Sequence, residues 1–152
     1  MKLRSPPSLE VLRALTIISK GRVKVEDSNK GIVSDEHESY EVYWDWTNNK
    51  IICNDELTKN GKAGFPVVAF LMLQGILPYE PYLATKLREV EWKRMEEIYN
   101  DEDIVIARVT AKWSSLDKEK LKRFLKWIKA MFDDLDIEVG ETAKTIGDFV
   151  NM

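Results

Sequence analysis

YEVYWDWTNNKIICNDELTKNGKAGFPVVAFLMLQGIL, residues 40 to 77, decides the fold. Its opening alternates as a strand does: Tyr40, Val42, Trp44 and Trp46 on one face, Glu41, Tyr43 and Asp45 on the other. Thr47-Asn48-Asn49 is turn chemistry, because Asn tolerates the left-handed backbone of tight hairpins. Lys50 to Cys53 returns as a second strand, and a polar loop with Asn60-Gly61 follows. Val67 to Ile76 is almost wholly apolar, which at this length predicts a buried helix. Gly75 suits its end and Pro78 forbids much continuation.

Working outward, Ser8 to Ser19 reads as a helix with Leu9, Leu12, Leu15 and Ile18 on its buried stripe. Arg22 to Glu26 reads as a strand and Gly31 to Ser34 as a short partner. The lone His37 falls in a charged loop, where a solvated side chain is expected. With the hairpin this makes an antiparallel meander covered by helices. Beyond the Pro78 to Tyr82 connector, Leu83 to Tyr99 reads as one long helix. Ile104 to Trp113 alternates and reads as a strand that sets Arg108 and Lys112 on one face. A basic amphipathic helix from Asp117 to Asp134 and a short docking helix within 141–150 complete the reading. The expected fold class is α+β: a small antiparallel sheet packed against several helices, in a single domain spanning residues 1–152.

The order hairpin, polar loop, apolar helix resembles the SWIM-type zinc finger, whose pattern is Cys-x-Cys, a spacer, then Cys-x-His ahead of a helix. The matching stretches are Cys53-Asn54-Asp55 and Gly64-Phe65-Pro66, followed by Val67-Val68-Ala69-Phe70. Gly61, Ala69 and the leading segment Arg13 to Val25 also fit that pattern, so the likeness covers roughly the first half of the chain. Of the four ligand positions only Cys53 keeps a ligand of the family type, and Gly64 and Pro66 offer none. Zinc wants four N or S ligands. The resemblance therefore implies a finger that kept its scaffold without its metal, and neither a metal nor a cofactor is expected. It also points to nucleic-acid and protein interactions in DNA recombination or repair complexes.

Composition bounds the rest. The chain is 44% apolar and 32% charged, which is globular. Its Glu- and Lys-rich charge is compatible with a thermophilic source. One cysteine allows no internal disulfide, and one histidine allows no Cys/His cluster. No charged-then-apolar leader opens the sequence and no apolar run would span a bilayer, so a cytoplasmic location without membrane is expected. Neither a phosphate-binding glycine loop nor a nucleophile elbow is present, and no enzyme is expected.

The net charge of −3 argues against non-specific duplex binding by the whole surface, but local basic patches remain. Aromatics gather on the hairpin and cations at several places. The expected function is non-enzymatic binding of single-stranded nucleic acid, DNA or RNA, by stacking and positive charge. The candidate residues are Tyr43, Trp44 and Trp46 with Arg22, Lys24, Arg108, Lys112, Lys122 and Lys126. Tyr43 is expected to be the exposed aromatic, whereas a filled core around Trp44 would remove the stacking floor. The alternative is an adaptor that binds another protein or itself as a dimer.

Overall fold

In the computed structural model, which describes residues 1–140, the organising element is the apolar helix. Helices α1 (Ser8–Ser19), α2 (Glu56–Lys59), α3 (Phe65–Leu73), α4 (Pro81–Leu87), α5 (Trp92–Tyr99), α6 (Glu102–Val109) and α7 (Ser115–Leu135) accompany strands β1 (Val23–Asp27), β2 (Lys30–Ser34), β3 (Ser39–Asp45), β4 (Lys50–Cys53) and β5 (Glu138–Val139). The strands form one sheet in the order β1-β2-β3-β4-β5. The fold class is α+β. The expected helix within 141–150 lies outside the described residues.

Every residue of α3 from Phe65 to Met72 is buried. A helix apolar all round needs neighbours all round, and it has them: the sheet on one side, α1 on the other. The sheet face toward α3 carries Val33, Val42, Trp44, Ile51 and Cys53. Gly31 lies on that face because a Cβ there would press on the Phe70 ring at 3.0 Å. Gly75 ends the helix with φ +76°, a backbone region open to glycine at little cost. The hairpin turn places Asn49 at φ 52°, and its Nδ2 donates to the carbonyls of Leu135 (2.8 Å) and Asp136 (3.0 Å). The turn thereby satisfies orphan carbonyls at the C-terminal end of α7.

Three expectations are corrected. The sheet is mixed rather than purely antiparallel, since β5 pairs parallel to β4. The helix expected over Leu83 to Tyr99 is two helices. On one continuous helix Trp92 would stand about 140° from Leu87, off the buried stripe. The break before α5 lets Leu83, Leu87 and Trp92 all be buried. Trp92 Nε1 donates to Thr16 Oγ1 at 2.9 Å, and that hydroxyl donates to the Leu87 carbonyl at 2.8 Å. The strand expected over Ile104 to Trp113 is instead α6. Asp101 caps it by accepting from Ile104 N at 3.0 Å, and Glu102 and Asp103 suit its positive first turn. Val105 is its buried contact, with Ile106 and Val109 half-buried beside it.

Candidate nucleic-acid interface

The hairpin aromatics do not form an open floor. Trp44 is 4% exposed and belongs to the core under α3, and Tyr43, on the opposite sheet face, is 5% exposed. The expectation that Tyr43 is the exposed aromatic is thus wrong. Its hydroxyl donates to Glu41 Oε2 at 2.9 Å, and the Lys30 ammonium lies 5.4 Å from its ring centre. Burial, then the bond to Glu41, pushes its phenol above the ordinary range. Trp46, at 47% exposure, is stacked on Trp44 with ring centres 3.8 Å apart and donates Nε1 to the Ser28 carbonyl at 2.7 Å. One of its faces is therefore already covered. No surface holds all three rings together.

The cations are scattered too. Lys24 is exposed on β1, paired with Ile32 on the face away from α3. Arg22 donates to the Asp35 carbonyl at 3.3 Å beside the 35–37 loop. Arg108 lies on α6 over the Tyr99 ring at 5.4 Å, and α6 packs against α5 and α1. Lys112 follows α6 in the turn that leads into α7. The expected wall of Arg108 and Lys112 beside the hairpin aromatics does not exist, because the segment that was to add a strand to the sheet is a helix.

Lys122 and Lys126 stand on a better surface. Ser114 caps α7 by accepting from Asp117 N at 3.1 Å. Leu121, Phe124, Ile128 and Phe132 are buried. One flank carries Lys118, Lys122 and Lys126 at steps of four, with Lys129 one turn on, and Arg123 and Lys120 lie toward the other flank, all exposed. Of these cations only Arg123 makes an ion pair among the described residues, to Glu119 at 3.4 Å. From Lys112 to Lys129 there are seven Lys or Arg and two acids, so this stretch carries +5 in a chain of −3.

Two aromatics that the sequence reading passed over border this surface. Trp127 is 54% exposed, its ring held edge-on by Phe124 at 6.5 Å between centres. Tyr82, from α4, is 47% exposed, with the Lys120 ammonium 4.6 Å and the Lys86 ammonium 5.7 Å from its ring centre. Its hydroxyl donates to Asp117 Oδ2 at 3.1 Å, which raises its own titration. Lys120 and Trp127 share a helix flank about 10 Å apart along the axis. The missed signal was periodic: Trp127 falls off the stripe made by Leu121, Phe124, Ile128 and Phe132.

The stretch compared above with the SWIM finger brings Cys53, Asp55 and Gly64 together. A Cβ built at Gly64 would collide with the Asp55 carboxylate. Asp55 caps α2 by accepting from Thr58 N at 3.1 Å, and its Oδ1 is buried with no hydrogen-bond partner among the described residues. The Cys53 thiol is buried and pushed well up by that burial and by the nearby Asp55 carboxylate. Among the described residues no group of three or more His, Cys, Asp or Glu is placed to hold a metal ion.

A family model described as "Uncharacterised conserved protein UCP014422" matches residues 3–138. The chain belongs to that family. No curated protein matches it, and no solved structure does. No helix among the described residues is long and apolar enough to cross a membrane.

Proposed function

We propose that this protein binds single-stranded nucleic acid through the basic side of α7, without catalysing a reaction on it. One observation carries the reading: α7 exposes six cations and a half-exposed tryptophan, with Lys120 and Arg123 on the Trp127 flank, in a chain that is otherwise acidic. Cations neutralise phosphates and release counterions, which supplies affinity without reading sequence. An aromatic ring with one free face stacks an unpaired base, contributing roughly 1–3 kcal/mol. Trp127 replaces Trp44 and Tyr43 in that role, and Tyr82 is the second platform. Lys122 and Lys126 keep the role expected of them. The SWIM likeness of the first half points the same way, toward a recombination or repair setting inside the cell.

Fluorescence anisotropy with a labelled single strand tests this. The wild-type chain should bind at micromolar concentration, and Lys122→Glu with Lys126→Glu should weaken binding at least about tenfold without lowering the melting temperature. Unchanged binding by that double variant would refute the interface.

A second reading, an adaptor or self-associating module, is favoured by a separate surface. Ile98 on α5 and Ile104 on α6 are both exposed large apolar side chains on helices packed against one another. Sedimentation of wild type against Ile98→Glu with Ile104→Glu separates a dimer from a monomer.

A further inference from the structure

Between α1, the 35–37 loop and the first turn of α5 lies a cleft of about 380 Å³ that no α7 residue lines. That size suits a small molecule. Its floor is apolar, formed by Ile17, Val90 and the indole of Trp92. Thr16 fixes that indole through its Nε1, so the floor is rigid. Carboxylates line the walls as well as cations, and most are engaged: Asp35 with Arg13 at 3.9 Å, Glu36 with Lys20 at 3.6 Å, Glu91 with Arg94 at 3.6 Å. Glu97 is the remaining acid. Arg22 and Lys93 line the cleft with no carboxylate within ion-pair distance among the described residues. Arg22 spends one N–H on the Asp35 carbonyl, which holds the guanidinium at the cleft and leaves other donors of its fork. The Glu91 side chain does not cap α5, whose first turn lines the same wall.

We propose that this cleft binds a small ligand with one oxyanion group, phosphate or carboxylate, on an apolar body. Arg22 and Lys93 take the oxyanion and the Ile17–Val90–Trp92 floor takes the body. The site is independent of the α7 interface and stands or falls without it.

His37 lines the cleft and is the single histidine of the chain, so its imidazole resonance reports on this place alone. The full chain is titrated with phenyl phosphate and with benzoate at constant ionic strength, with inorganic phosphate as the probe that lacks a body. The expected result is a saturable His37 shift with phenyl phosphate or benzoate, at lower concentration than with inorganic phosphate; which of the two binds more tightly identifies the oxyanion. Arg22→Gln should weaken it at least about tenfold, the scale of one charge-assisted bond. Lys93→Gln should weaken it too, and Lys122→Glu should leave it unchanged. Arg22 and Lys93 are exposed, so their variants should keep the wild-type melting temperature. A shift that rises linearly without saturating, or one with the same midpoint in both cleft variants, overturns the proposal.

Discussion

Trp127 leaves about half of its surface to solvent while Phe124 braces its edge. A ring held this way loses little freedom when a base stacks on it. Trp127→Ala should therefore weaken single-strand binding by about 1–3 kcal/mol, while thermal unfolding stays within about 0.5 kcal/mol of wild type. Glu10 makes a different test at this scale. Its carboxylate is largely buried, accepts from Phe65 N at 3.2 Å and pairs with Arg13 at 3.3 Å. Burial dominates and raises its titration above 4.5, against the pull of Arg13 and Phe65 N–H and with the help of Glu96 and Asp55. The folded chain then holds that proton more tightly than the unfolded chain. The Glu10 contribution to stability is favourable at low pH and is lost as pH rises from about 4.5 through the raised value. Urea unfolding across that range should show a fall in wild type that Glu10→Gln flattens.

Thr16 joins three helices with one hydroxyl, taking a bond from Trp92 on α5 and giving one to Leu87 at the end of α4. Thr16→Val keeps the shape and orphans the buried indole N–H, so it should cost about 1–3 kcal/mol in chemical unfolding. Asp101→Ala removes the cap of α6 and should cost about 1 kcal/mol. These two elements show where local pattern succeeded and failed. The stretch from Tyr40 to Leu77 was legible because its signals agree: strict alternation, an Asn turn, then a run apolar on all sides. In Ile104 to Trp113 the alternation of β-branched residues outweighed Asp101, Glu102 and Asp103, which together announce a helix start. The α4–α5 break was hidden because it answers to a partner 76 positions away, Thr16, not to any residue beside it. The candidate site was half legible. Lys122 and Lys126 lie where a basic helix side places them, but Trp127 was passed over, and the burial of Trp44 depended on which helix covers which sheet face.

At the scale of the molecule, charge is sorted. The stretch 112–129 is strongly positive, and the remainder must be acidic for the chain to total −3. Under the proposed function, an acidic body beside a basic helix orients an incoming polyanion and repels it elsewhere, which would give one binding surface rather than general stickiness. The N-terminal half supplies the packed frame: α3 between sheet and α1, with Cys53 and Asp55 turned inward under the α3 start. Binding by such a surface has a signature that a buried-core or adaptor account lacks. The decisive measurement is the dependence of single-strand affinity on salt, read by anisotropy from about 50 to 200 mM. If about four lysines of α7 meet phosphates, log affinity against log salt should fall with a slope near −3, and Lys122→Glu with Lys126→Glu should remove at least about half of it. A slope near zero, or a steep slope that this double variant leaves intact, would contradict the account.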